Sequence, residues 1–143
     1  MTKVTRVHGT CVARDGDGVL LLGAPGAGKS DLALRLLARG FELVADDQVM
    51  IEDGAAHAPA ALAGLLEVRG LGILRLPYAA TARVALVVEL GEAERLPAPE
   101  RHDALDVPMV RVRAEAASAP ERVALALDCV LRRVSQVAGA FVS

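Results

Sequence analysis

The stretch VLLLGAPGAGKSDLALRLLARG, residues 19–40, limits the fold more than any other part of the chain. Val19 to Gly23 is a short, unbroken apolar run, the pattern of a strand covered on both faces. Gly23-Ala24-Pro25-Gly26-Ala27-Gly28-Lys29-Ser30 then satisfies G-x-x-x-x-G-K-S/T, and leucines and alanines at helical spacing run from Ser30 to about Arg39, closed by Gly40. Strand, glycine-rich turn and helix in that order form a cradle for phosphate. The glycines let backbone N–H groups turn inward around phosphate oxygens, and the positive end of the helix adds attraction. In such a loop Lys29 reaches the β- and γ-phosphates, and the Ser30 hydroxyl ligates Mg²⁺. The unit demands an α/β fold, with helices packed on a buried sheet.

The flanking segments fill in that sheet. Residues 4–13, VTRVHGTCVA, predict a first strand with His8-Gly9 inside it or at its end, and RDGDG at 14–18 predicts a hairpin turn. FELVADD at 41–47 predicts a second buried strand ending in two acids, and QVMIED at 48–53 continues as strand. Further strands are predicted at 83–90 and 108–115, the latter half-exposed, and an amphipathic helix at 119–134 with Pro in its first turn and Arg in its last. The Ala-rich stretch 55–68 follows no clear period, and the Pro- and charge-rich 91–106 reads as a mobile loop.

Composition narrows the function classes. At 143 residues and 53% hydrophobic, the chain suits one domain with a real core. A net charge of −2 and only 2% aromatic residues give no electrostatic footprint or stacking platform for nucleic acid. No window reaches the roughly 18 uninterrupted apolar residues of a membrane span, and the N-terminus lacks a signal-type apolar stretch, so a soluble cytoplasmic protein without membrane contact is expected. Cys11 and Cys129 lie in apolar patterns without metal-ligand spacing and read as buried, reduced thiols.

A phosphate-binding loop identifies a donor, not an acceptor. Guanine recognition of the Asn-Lys-x-Asp kind is excluded, because the chain has no asparagine. Asp46-Asp47 closes a buried strand where an acid can face Mg²⁺ and a γ-phosphate. Adjacent strand residues point to opposite faces, so one acid can serve the metal shell while the other takes a hydroxyl proton; a plain solvated turn is the competing reading. His8 fits either a structural or a catalytic place. Glu67 and Arg69, two apart in Glu67-Val68-Arg69-Gly70, can present a metal-binding carboxylate beside a phosphate-binding guanidinium, or form a surface ion pair.

Taken in order, HG at 8–9, GVLLLGAPGAGKSDLALRLLARGFELVADD at 18–47 and LEVRGLGIL at 66–74 closely resemble the HPr kinase/phosphorylase family. The likeness covers about residues 4–90 well and the remainder more loosely. It implies the fold of that family's C-terminal catalytic domain, a mixed central sheet flanked by helices. It also implies transfer of phosphate from ATP, with Mg²⁺, to a serine of an HPr-like phosphocarrier. By resemblance Lys29 contacts phosphates, Ser30 and Glu67 hold Mg²⁺, Asp47 accepts the seryl proton, and Asp46 and His8 support the phosphate site. Arg69 belongs to the signature segment, and Arg95 in AERLP matches a catalytic arginine although Pro97 stands where the family has glycine.

Several departures qualify the resemblance. The family usually carries an additional N-terminal domain, whereas residues 1–143 read as the catalytic domain by itself, and the family's hexamers imply a homo-oligomer. RVRAEAASAPER stands where the family has a Pro-Gly-containing stretch tied to phosphorylase activity, and the segment between Gly72 and Arg83 is shortened. The resemblance therefore does not extend to the reverse reaction, attack of inorganic phosphate on phosphoserine. A competing reading is a regulatory module that binds nucleotide without transfer. Intact Lys29, Ser30, Asp47 and Glu67 weigh against it, and the shortened loops weigh for it. A small-metabolite kinase would need a lid with paired arginines, which the sequence does not display.

Overall fold

A computed structural model describes residues 3–142. Strands β1 (Val4–His8), β2 (Thr10–Arg14) and β3 (Asp17–Leu22) lead into helix α1 (Lys29–Leu37). β4 (Glu42–Ala45), β5 (Gln48–Glu52) and β6 (Ala55–His57) follow, then a 3₁₀ turn at Ala60–Leu62 and the strands β7 (Leu65–Val68) and β8 (Gly72–Arg75). β9 (Ala82–Leu90), β10 (Glu100–Arg101), β11 (Pro108–Val112) and helix α2 (Ala119–Val130) complete the order.

The main sheet has nine strands in the order β1-β5-β6-β9-β3-β2-β4, with β11 also paired to β9 and β10 to β11; β7 and β8 form a separate hairpin. β3, β9 and β11 run parallel and the remaining pairs antiparallel, so the sheet is mixed as expected. The apolar runs at 19–21 and 86–88 are continuous because these central strands are covered on both faces, and all six residues are fully buried. Both helices pack on one face, where Leu32, Leu36, Val123 and Leu127 meet Val19, Leu21, Leu86 and Val88. The other face is closed by the sheet itself. There Leu20 and Val87 pack against Val44, Val49, Ile51 and Ala56 from β4 to β6. The carboxyl ends of β3, β9 and β11 are thereby left for loops, where ligands bind in parallel sheets.

Several boundaries differ from the sequence expectations for identifiable reasons. The strand expected at 4–13 is two strands, since β1 pairs with β5 while β2 pairs with β3 and β4. Gly9 separates them; a Cβ there would lie 2.8 Å from the Leu21 carbonyl oxygen, an approach only glycine permits. α1 stops at Leu37 because Phe41 N–H donates to Leu36 O at 3.2 Å and Gly40 N–H to Leu37 O at 3.4 Å, a Schellman closure. The same closure shortens α2. Arg132 turns left-handed at φ 61, and Arg133 N–H donates to Asp128 O at 2.8 Å, so the helix ends at Val130 with no basic residue in its last turn. β11 ends at Val112 because Ala116 N–H turns back to Arg113 O at 3.2 Å. Within 91–106, Glu100 and Arg101 form β10, and the unassigned stretch 55–68 contains β6 and β7.

Among the described residues no helix is long and apolar enough to cross a membrane. Cys11 is fully buried on β2 and Cys129 half-buried on α2, and both are free. Burial pushes the Cys11 thiol up to about 12. Cys11 is therefore expected to resist iodoacetamide at about pH 8 in the folded protein and to react on unfolding, as read by peptide mass spectrometry. Rapid native-state labelling of Cys11 would contradict its burial.

Candidate active site

The loop from Gly23 to Gly28 joins the end of β3 to α1. Gly28 is the N-cap of α1 at φ 99, and no side chain caps the first turn. The first-turn N–H groups are left without a side-chain partner, the condition for anion binding at a helix start. Any larger residue at 28 would combine strain with a Cβ 3.2 Å from that of Ala114, in the loop after β11. Arg35 holds this loop, donating to the carbonyl oxygens of Ala114 and Ala116. Pro25, Gly26, Gly28, Lys29 and Ser30 line a cavity of about 550 Å³. Lys29 is 8% exposed, and its Nζ donates to Gly23 O at 2.8 Å and Ala24 O at 3.1 Å. The ammonium is stored against the loop's own carbonyls.

Asp46 and Asp47 line the same cavity, but not by strand alternation. β4 ends at Ala45, and the two acids occupy the turn into β5. Gln48 N–H donates to Asp46 O at 2.8 Å across Asp47, whose φ is 70. This is a γ-turn of the rare left-handed kind, a strained conformation that a short polar side chain tolerates better than most. The turn separates the two carboxylates. Asp46 is 8% exposed and tied inward, while the Asp47 side chain is 65% exposed. Asp47 Oδ1 lies 2.9 Å from His8 Nε2, and Gly9 N–H donates to Asp47 O at 3.2 Å. The end of β1 therefore holds this turn through both side chain and backbone.

Asp46 Oδ1 accepts hydrogen bonds from Thr10 Oγ at 2.8 Å and Ser30 Oγ at 2.7 Å, and Oδ2 lies 3.4 Å from the Glu67 N–H. One carboxylate thus connects β2, α1 and β7. Sequence reasoning missed Thr10. Its signal was a lone hydroxyl in the otherwise apolar TCVA, since a buried hydroxyl needs a partner. Glu67 and Arg69 both line the cavity, Glu67 from β7 and Arg69 from the turn that follows. They form no ion pair with each other, and neither Arg69 nor Arg75 has an ion-pair partner among the described residues. Arg95 stands apart, exposed on the loop after β9 and outside the cavity lining. Gly23, Ala24 and Ala27 do not line the cavity; Gly23 O and Ala24 O hold Lys29 Nζ, and Ala27 N–H donates to Ala24 O at 3.0 Å.

The oxygens of Ser30 and Glu67 are hard donors on one cavity, with Asp46 bonded to the Ser30 hydroxyl. Such a set suits Mg²⁺, which takes few protein ligands and completes its shell with phosphate and water. Beside it stand one ammonium, Lys29, one guanidinium, Arg69, and one exposed carboxylate, Asp47. The arrangement can hold a polyphosphate and receive a proton beside it.

Comparisons with known proteins identify the family and the fold. The family described as HPr Serine kinase C-terminal domain matches residues 1–108. An HPr kinase/phosphorylase of Bordetella pertussis (strain Tohama I) is 38% identical over 151 residues, covering 92% of this chain and 49% of the relative. One of Cupriavidus necator is 38% identical over 144 residues, covering 88% of this chain and 44% of the relative. One of Clostridium tetani is 47% identical over 77 residues, covering 51% of this chain and 25% of the relative. The chain spans about half the length, or less, of the curated relatives it matches. Among solved structures, the Hpr(Ser) kinase/phosphatase from Coxiella burnetii matches with TM-score 0.67 at 24% identity, covering 90% of this chain and 95% of that one. That likeness shows a shared fold. With the family match running from β1 through β10 and the cavity residues all inside it, the chain belongs to the HPr serine kinase C-terminal domain family.

Proposed function

We propose that this chain is an ATP- and Mg²⁺-dependent serine kinase domain acting on an HPr-like phosphocarrier. The observation that carries this reading is the position of Asp47: an exposed carboxylate, held in a strained turn, in the same cavity as Lys29 and Ser30. A serine hydroxyl is a weak nucleophile, so its attack needs a positioned base. Asp47 meets that need, and His8 at 2.9 Å keeps its carboxylate oriented. The β- and γ-phosphate oxygens are better acceptors than neutral carbonyls, so they draw Lys29 Nζ away from Gly23 O and Ala24 O. The first-turn N–H groups of α1 hold the remaining phosphate oxygens, and Arg69 is placed to share charge on the moving phosphoryl group. Ser30 and Glu67 would hold Mg²⁺, which when bound neutralises phosphate charge, while Asp46 keeps the Ser30 hydroxyl oriented.

A protein acceptor is favoured over a small metabolite by the β7–β8 hairpin. The β7–β8 hairpin that supplies Glu67 also carries Leu71 and Ile73, 74% and 70% exposed. Exposed aliphatics beside a polar site suit contact with another macromolecule. Phosphorylase activity is expected to be slow or absent. The test incubates the protein with labelled ATP, Mg²⁺ and a panel of HPr-type carriers. Label on a carrier serine is the expected result, whereas nucleotide binding without transfer to any carrier would overturn the reading.

A further inference from the structure

Thr10 opens β2, is 1% exposed and lines the cavity. Its hydroxyl and that of Ser30 converge on a single atom, Asp46 Oδ1, at 2.8 and 2.7 Å. The other carboxylate oxygen has one long contact, 3.4 Å from the Glu67 N–H. We propose that Thr10 is a positioning residue for metal–nucleotide binding, acting through Asp46 to aim the Ser30 hydroxyl. The proposal rests on the Mg²⁺–nucleotide reading above and adds a residue to it.

A hydroxyl has one proton and two lone pairs. When Ser30 gives its proton to Asp46 Oδ1, its lone pairs remain for a cation. That holds only while the carboxylate keeps its present rotation. Of the groups that touch the carboxylate, Ser30 is itself the group to be aimed, and the Glu67 amide contact is long. Thr10 is the short contact from a fully buried strand residue, and its branched side chain has little rotamer freedom there. Without its hydroxyl, Asp46 can turn toward the cavity, and the Ser30 proton then competes with the cation for the same space.

A merely structural Thr10 would affect stability but not the benefit of Mg²⁺. The experiment therefore measures ATP binding by calorimetry, with and without Mg²⁺, for the wild type, Thr10→Val and Thr10→Ser, alongside thermal unfolding of each. Thr10→Val is expected to weaken binding of Mg²⁺–ATP about 10-fold, equal to ~1.4 kcal/mol. Metal-free ATP should change less than about twofold, and Thr10→Ser, which restores the donor, should match the wild type within about twofold. Unchanged Mg²⁺–ATP binding by folded Thr10→Val, or equal weakening with and without the metal, overturns the proposal. Should Thr10→Val melt too low to assay, Thr10→Ala is read against the same expectations. A wild type whose ATP binding gains nothing from Mg²⁺ overturns the functional reading itself, and the proposal with it.

Discussion

Asp47→Asn is expected to lower phosphoryl transfer to a carrier serine about 10³-fold while changing nucleotide affinity less than about twofold. The substitution is matched in shape and loses only basicity. Asparagine tolerates the left-handed φ of 70 nearly as well as aspartate, so the turn between β4 and β5 should persist. Its amide oxygen or nitrogen can still meet His8 Nε2, which now lies 2.9 Å from Asp47 Oδ1. Asp47→Ala would be less informative, because alanine at positive φ adds backbone strain to the loss of the base. Single-turnover transfer with labelled ATP, paired with calorimetric nucleotide binding, measures the two effects separately. Retention of more than roughly a tenth of wild-type transfer would remove Asp47 from the role of base, since general-base catalysis contributes about 10²-fold or more.

Lys29→Met should act at the other end of the reaction. Methionine keeps much of the buried stem and removes the ammonium, so the packing at the start of α1 is largely retained. Loss of the charge is expected to weaken nucleotide binding about 100-fold, equivalent to ~2.7 kcal/mol, and to reduce transfer further at saturating ATP. The resting loop is affected too, because Gly23 O and Ala24 O lose their donor at 2.8 and 3.1 Å. A modest fall in stability of about 1 kcal/mol is therefore expected in the absence of nucleotide. Lys29→Arg should not rescue binding, since a planar guanidinium does not fit where a compact ammonium is buried at 8% exposure. Wild-type affinity in Lys29→Met would place the phosphates elsewhere.

The two variants probe features of different legibility. Lys29 could be read from its neighbours alone, because the loop's function depends on residues within one short segment and on the strand and helix that flank it. Asp47 could be nominated but not placed. Strand alternation put it and Asp46 on opposite faces, and the strand in fact ends before them. The γ-turn that replaces it is held by His8 at the end of β1 and by the N–H of Gly9 just after it, partners that approach only when β1 pairs with β5. Arg95 illustrates the reverse situation, a residue matched by local pattern that the fold leaves outside the cavity lining.

By itself the sequence determined the local devices. These are the order strand, glycine-rich loop, helix from Val19 onward, the Asp15-Gly16 turn with both φ values positive, and the buried parallel strands with their unbroken apolar runs. Each depends on conformational preferences or periodicity within a few residues, so the information is contiguous. Tertiary structure decided which groups share the site. Thr10 and Asp46 are 36 residues apart, Ser30 and Asp46 are 16 apart, and His8 and Asp47 are 39 apart. No local preference encodes those distances. They follow from the order of strands in the sheet, which gathers distant hydroxyls and carboxylates at one end of the core, where burial removes the water that would otherwise satisfy Thr10 and Asp46.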